Sequence, residues 1–178
     1  VCHGDFLKMD LAAVCDADKK SIVVGNLPYN VSSQILIRLF QNNNLFNRLF
    51  LMFQREVAIR CLAGPGGKDY GMLSLWTQLF SRAKKLFNVP ANAFLPRPKV
   101  VSTFLQLDCP GRDYREEAEF IKFAKVLFSQ RRKKASTVLK TSKTGASPTI
   151  RAWTDKRPEQ LSLAELRQIW LWASGLSL

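Results

Sequence analysis

Residues 21–30 constrain the fold of this chain more than any other stretch. Residues 22–24 are a run of β-branched residues, which is typical of a parallel strand buried on both faces. The run stops at Asn26 and turns at Pro28, directly before Tyr29. Ligands of open α/β sheets bind beyond the carboxyl ends of the strands. The pattern therefore predicts an α/β sheet with this turn at its ligand-binding edge.

The turn offers groups that suit an amine on a flat ring. The side-chain carbonyl of Asn26 accepts hydrogen bonds, and Pro28 fixes its own φ, so that a backbone carbonyl can be aimed beside it. The ring of Tyr29 can stack on a base, which is typically worth ~1–3 kcal/mol. Such a site could methylate the exocyclic amine of adenine by positioning and electrostatics alone. An ordinary strand-ending turn uses the same residue types, so the tetrapeptide alone leaves both interpretations open.

Charge and composition narrow the class of protein. Lys and Arg number 27 against 14 Asp and Glu, a net charge of +13, which favours a nucleic acid or an anionic membrane face as partner over a merely basic surface. An apolar fraction of 47% in 178 residues supports a core for one domain, or for one domain and a small second. No window has the ~18 apolar residues of a membrane span, and residues 1–5 do not resemble a signal peptide, so we expect a cytoplasmic protein without membrane contact.

The cysteines do not predict a metal site. Cys2, Cys15, Cys61 and Cys109 are widely spaced, and His3 is the only histidine of the sequence. Without a C-x-x-C pair, zinc binding is not expected, and reduced thiols of a cytosolic protein are the simpler interpretation.

Four blocks follow one another along the chain: residues 4–5 (G-D), 25–33 (G-N-L-P-Y-N-V-S-S), 90–102 (P-A-N-A-F-L-P-R-P-K-V-V-S) and 128–134 (F-S-Q-R-R-K-K). In this order they resemble the ribosomal RNA adenine N6,N6-dimethyltransferases. The last block resembles the F-x-Q-R-R-K segment of the KsgA-type members, which modify small-subunit rRNA. Four ordered blocks are far more specific than any one of them.

The resemblance implies roles for particular residues. Asn26 and the Pro28 carbonyl would hold the target amine, while Tyr29 and Phe94 would sandwich the base. Asp5 would accept a hydrogen bond from the adenine of the cofactor, S-adenosylmethionine, with Asn26 beside it. Without the resemblance, Asp5 would be interpreted as a solvated loop carboxylate and Phe94 as an anchor of its loop.

The basic cluster of residues 131–134 predicts contact with RNA. Arg131, Arg132, Lys133 and Lys134 are adjacent, and Lys99 lies in the third block. Each phosphate that such cations neutralise adds ~0.9 to the salt dependence of binding to a duplex. A solvated helix end is the alternative.

The resemblance and the hydrophobic patterns together predict the architecture. Residues 1–110 would form the carboxyl-terminal part of a Rossmann-like, S-adenosylmethionine-dependent methyltransferase domain, and residues 111–178 a small all-helical, RNA-binding domain. We expect strands at 49–53, 83–89 and 100–107 in addition to the first, helices that begin near 32, 54, 72 and 162, and a mobile loop at 63–71.

The resemblance implies dimethylation of two adjacent adenosines near the 3′ end of small-subunit rRNA, in ribosome biogenesis. The partner would be the immature small subunit, and we expect a monomer without a metal. The alternatives are a large-subunit rRNA methyltransferase of the erythromycin-resistance type, which the Q-R-R-K block disfavours, a DNA adenine methyltransferase, or a non-catalytic RNA-binding assembly factor. The family's glycine-rich first motif has no counterpart in this sequence. We therefore expect a piece of a longer enzyme that binds the cofactor weakly and is inactive alone.

Overall fold

The computed structural model describes residues 3–16, 19–140 and 146–175. The helices are α1 (Leu11–Val14), α2 (Ser32–Gln41), α3 (Arg55–Leu62), α4 (Met72–Phe80), α5 (Tyr114–Ser129), α6 (Ala135–Leu139), α7 (Pro148–Thr154) and α8 (Leu163–Ala173). The strands are β1 (Ser21–Asn26), β2 (Phe46–Gln54), β3 (Arg82–Val89) and β4 (Ser102–Asp108). Short 3-10 turns occur at Asn43–Leu45, Ala91–Ala93 and Pro158–Gln160.

The four strands form one mixed sheet in the order β1-β2-β4-β3. β1 runs parallel to β2, whereas β2 and β3 each pair with β4 in the antiparallel direction. One face of this sheet is the core, because side chains that alternate along β2 and β4 are buried there: Leu49, Leu51, Phe53, Leu105 and Leu107. The predicted mixed α/β fold is confirmed.

The prediction that β1 is buried on both faces is wrong. Its residues alternate between half-buried and exposed, with Ile22 at 59% and Val24 at 72% exposure. β1 lies at the edge of the described sheet and pairs with β2 alone. The described residues cover only the face that carries Val23 and Gly25, which are half-buried.

Helices α2 and α3 begin where the sequence predicts but differ in detail. Ser32 does not cap α2, because its hydroxyl donates to the carbonyl of Tyr29 at 3.2 Å instead of accepting from a helix N–H. Asn42 is the C-cap of α2. On α3, Val57, Ala58 and Cys61 are buried, whereas Leu62 is 38% exposed in the last turn of the helix.

The described chain clusters into two compact units. The first comprises residues 1–62 and 76–114, and the second comprises 63–75 and 115–178. The loop at 63–71, which we expected in the first domain, clusters with the second unit, which we call the helical unit.

Polar contacts as well as apolar packing stabilise the second unit. Ser162 and Glu165 form a capping box where the sequence predicts the start of α8, and the flanking Leu161 and Leu166 are fully buried. Glu117, which is 5% exposed, pairs with Arg167, whose guanidinium lies 4.6 Å from the centre of the Phe120 ring.

Two loop regions of this unit have contacts or bounds that the structure describes. Gly66, in the loop at 63–71, donates its N–H to the carbonyl of Glu159 at 2.7 Å in the 3-10 turn before α8, and the mobility of this loop stays a prediction. The polar stretch at 141–149 falls partly outside the described residues, and its end belongs to α7, where Ser147 caps the helix.

Candidate active site and nucleic-acid interface

The end of β1 opens onto a cavity of about 240 Å³, which we call the base cavity. Asn26 is the last residue of β1, and the turn after it provides one wall. The proline-rich connector from β3 to β4 provides the other. The lining residues are Asn26, Leu27, Pro28, Tyr29, Phe94, Pro96 and Pro98. The structure therefore brings together the four residues predicted to hold the target base.

The ring of Tyr29 is held by a hydrogen bond at its far end. Its hydroxyl and that of Ser102 lie 2.6 Å apart. Ser102 is completely buried at the start of β4 and lies opposite Gln54 in the sheet register. Hydrogen bonds of this kind contribute about 1 kcal/mol net and fix orientation more than affinity. Sequence reasoning missed Ser102, although it ends the third motif block.

The backbone carbonyls of the turn differ in their availability. The Pro28 carbonyl, predicted as an acceptor for the amine, already accepts from the N–H of Val31 at 3.2 Å. The Leu27 carbonyl has no hydrogen bond among the described residues, and it directly follows Asn26. A carbonyl has two lone pairs, so Pro28 retains one, whereas Leu27 retains both.

A second cavity, of about 540 Å³, lies on the other side of the same turn. Its size is within the ~300–1,000 Å³ usual for small-molecule sites. The walls are mostly apolar and come from the loop of residues 4–7, from β1 and from α2. Leu27 and Pro28 line both cavities, so this dipeptide is their common wall.

Asp5 supplies the carboxylate of the larger cavity. One of its oxygens accepts the N–H of Leu7 at 3.0 Å, and the other is 3.9 Å from the ammonium of Lys8. These contacts orient the carboxylate but leave lone pairs for a further donor, such as an exocyclic amine. An apolar slot with one carboxylate acceptor fits the adenine end of S-adenosylmethionine. Asn26, predicted as a second cofactor contact, lines the base cavity and not this one.

The basic cluster of residues 131–134 lies in the helical unit and its members are not equivalent. Arg131 pairs with Glu159 at 2.8 Å and donates to the carbonyl of Lys68 at 3.0 Å. Lys134 lies 3.6 Å from a carboxylate oxygen of Asp155. These ion pairs neutralise part of the positive charge of the cluster within the protein.

The other two cations of the cluster are exposed. Within the described ranges, neither Arg132 nor Lys133 has a charged partner, and both line a cavity of about 290 Å³ after α5. Lys99 is likewise exposed in the connector that carries Phe94. These three are the predicted RNA contacts that remain available to a phosphate.

Cys61 and Cys109 are buried. Burial raises the pKa of the Cys61 thiol to about 12 and that of Cys109 to about 11, so neither is a thiolate at neutral pH. The described residues contain no cluster of three or more potential metal ligands. None of the described helices is long and apolar enough to span a bilayer.

Comparison with known proteins identifies relatives across most of the chain. The family model for ribosomal RNA adenine dimethylase matches residues 1–163. The ribosomal RNA small subunit methyltransferase A of Acidobacterium capsulatum is 37% identical over 96% of this chain and 63% of its own length. Its counterpart in Pseudomonas syringae is 41% identical over 91% of this chain and 62% of its own length. The chain thus spans less than two thirds of these relatives.

Solved structures share the fold. A dimethyladenosine transferase from Plasmodium falciparum superposes with a TM-score of 0.80 at 23% identity, covering 98% of this chain and 73% of that one. The 23S rRNA methyltransferase ErmE superposes with a TM-score of 0.56 at 19% identity, covering 92% of this chain and 68% of that one.

Proposed function

Because the chain belongs to the ribosomal RNA adenine dimethylase family, we propose that it carries the base-binding and RNA-binding parts of a small-subunit rRNA adenine N6,N6-dimethyltransferase. The methyl donor would be S-adenosylmethionine. The substrate would be two adjacent adenosines near the 3′ end of small-subunit rRNA in an immature subunit, and the protein would act as a monomer in the cytoplasm. The observation that carries the proposal is the base cavity, in which Asn26, Tyr29 and Phe94 converge.

Asn26 and a carbonyl of its turn would orient the target amine. The amine nitrogen is a poor nucleophile because its lone pair is delocalised into the ring. Accepting a hydrogen bond from each of its two hydrogens localises that lone pair and aims it out of the ring plane. The Asn26 amide oxygen supplies one acceptor. The Leu27 carbonyl, which has no described partner, supplies the other better than that of Pro28, which already accepts from Val31.

Tyr29 and Phe94 would hold the ring of the base. Both line the base cavity, and the prolines around Phe94 restrict its backbone, so little conformational entropy is lost when a base enters. The bond from Tyr29 to Ser102 fixes the first ring before the base arrives. Orientation of this kind lowers the barrier without a strong base.

The larger cavity would hold the cofactor, with Asp5 as acceptor for its adenine amine and apolar walls around the ring. When bound there, S-adenosylmethionine supplies an electrophilic methyl group on a sulfonium. Leu27 and Pro28 line both cavities, so the cofactor and the target base would bind against the same turn, next to each other.

Methyl transfer to isolated small subunits tests the proposal. Two proteins are compared: this chain, and a chimera in which its 178 residues replace the matching part of the Acidobacterium capsulatum relative. We expect the chimera to place N6,N6-dimethyladenosine in small-subunit rRNA, detected by mass spectrometry of nucleosides. Methylation of large-subunit rRNA would favour the erythromycin-resistance type. RNA binding by a folded chimera without methylation would favour an assembly factor.

Calorimetry of the chain alone tests the cofactor part. The described cavity offers one carboxylate, and the sequence has no counterpart of the family's glycine-rich first motif, so we expect weak binding of S-adenosylmethionine. Micromolar affinity would contradict this expectation.

A further inference from the structure

Two adjoining cavities of about 290 and 130 Å³ run along α3, outside the base cavity and the cofactor cavity. Arg55 and Ile59 line both of them, which makes them one continuous depression. We call it the α3 groove. Its other lining residues are Gln54, Glu56, Val100 and Val101 in the first part, and Ala58, Leu62, Lys85, Asn88 and Thr103 in the second.

The groove carries two cationic side chains that have no partner among the described residues. Arg55 and Lys85 are exposed, and neither side chain has an ion pair or hydrogen bond within residues 3–16, 19–140 and 146–175. Among the described residues that line the groove, Glu56 alone carries a carboxylate, and it lies in the part away from Lys85. An anion is therefore favoured, most strongly at the Lys85 end.

The groove also has surfaces that suit a nucleotide. Ile59 and Leu62 are 43% and 38% exposed and give the groove an apolar wall that a ribose can contact. Asn88 accepts the hydroxyl hydrogen of Thr103 at 3.0 Å, which fixes its amide and leaves the NH₂ group as a donor. Apolar side chains beside cations and an amide are typical of contacts to ribose and phosphate.

The groove begins next to the base cavity. Pro98 lines the base cavity, and Val100 and Val101 of the same connector line the groove. The Val101 carbonyl accepts the N–H of Arg55 at 3.0 Å, which fixes the connector to the start of α3. A strand with one base in the cavity therefore has the groove within reach of its neighbouring nucleotides.

We propose that the α3 groove binds the RNA strand that flanks the target adenosine, with Lys85 and Arg55 on its phosphates. The inference rests on the proposed function for the identity of the strand. It adds a binding surface on the first unit, separate from the basic cluster of residues 131–134.

Neighbouring residues of β3 provide a matched test. Lys84 and Lys85 carry the same charge and are both exposed, but they point to opposite faces of the sheet. Binding of the chain to an RNA hairpin that contains the target adenosines is measured by fluorescence anisotropy between 50 and 200 mM salt. We expect Lys85→Ala to weaken binding about threefold and to lower the salt slope by about 0.7, the value for one single-strand phosphate. Lys84→Ala should change neither, and Lys85→Arg should restore binding.

Neutral phosphate analogues identify the contact. A methylphosphonate next to the target adenosine should weaken binding of the wild type but not of Lys85→Ala. Equal effects of Lys84→Ala and Lys85→Ala, or a methylphosphonate effect that is unchanged in Lys85→Ala at every position, would overturn the inference. A Lys85-specific loss supports the groove even if Tyr29→Ala binds normally, a result that would refute the base cavity instead.

Discussion

The base cavity and the basic cluster of residues 131–134 differ in whether their polar groups have partners within the protein. At the base cavity, the Asn26 side chain is exposed, and the Leu27 carbonyl has no described partner. In the cluster, Arg131 and Lys134 pair with carboxylates of their own unit. The first region keeps its acceptors for a ligand, whereas the second uses half of its cations to hold loops in place.

This difference predicts which substitutions change function and which change stability. Substitutions in the base cavity should change chemistry and leave folding intact, because few internal contacts are lost. Substitutions of Arg131 should change stability, because its guanidinium holds both Glu159 and the Lys68 carbonyl. Arg132 and Lys133 should behave like the base cavity, since their loss breaks no described ion pair.

Asn26→Ala should give the largest effect. Removing one preorganised hydrogen-bonding group typically costs about 10²–10³ in rate, and we expect that loss in methyl transfer by the chimera. Asn30→Ala is the matched control, because Asn30 is exposed four residues later and does not line the cavity. Its rate should stay within about twofold of wild type. Comparable losses in both variants would mean that the turn, not the Asn26 amide, is what matters.

Phe94→Ala should come next. Loss of one stacking ring removes about 1–3 kcal/mol, which corresponds to RNA binding about 5- to 150-fold weaker. Leu95→Ala is its control, because Leu95 is fully exposed beside it. Unchanged affinity of Phe94→Ala for the hairpin would remove Phe94 from the site.

Substitutions in the basic cluster should differ according to whether the cation has an internal ion-pair partner. Arg132→Ala is expected to lower the salt slope of RNA binding by about 0.7–0.9 with an unchanged urea midpoint. Arg131→Ala is expected to lose about 1 kcal/mol of unfolding free energy, since its pair is half-exposed. Salt titrations and urea denaturation measure the two effects. A stability loss in Arg132→Ala together with a lower salt slope in Arg131→Ala would contradict this prediction.

The bond between Tyr29 and Ser102 should give the smallest effect. Ser102→Ala and Tyr29→Phe are each expected to weaken RNA binding by about 0.5–1.5 kcal/mol, and the double variant by no more than one of them. Ser102→Thr, which keeps the hydroxyl, is the control. Additive losses would show that the two hydroxyls act independently.

The sequence predicts the fold where the pattern is local. A continuous apolar run marks β2, alternation marks β4, and Ser162 with Glu165 marks the start of α8. The exposure of Ile22 and Val24 was not predictable, because burial of a strand depends on its neighbours in the sheet.

The residues of the site were predictable, but the hydrogen bonds and ion pairs between residues distant in sequence were not. The motif blocks locate Asn26, Tyr29 and Phe94, and the structure places them on one cavity. The partner of Tyr29 lies 73 residues away at Ser102, and no sequence pattern connects them. The pairing of Arg131 with Glu159 is hidden for the same reason.

Photocrosslinking shows which residues surround the target base. A hairpin that carries 8-azidoadenosine at the target position is bound to the chain and irradiated, and the crosslinked peptides are identified by mass spectrometry. We expect crosslinks to the peptides that contain Tyr29 and Phe94, with loss of the second in Phe94→Ala. Crosslinks confined to the helical unit, with none at the turn after β1, would contradict this expectation.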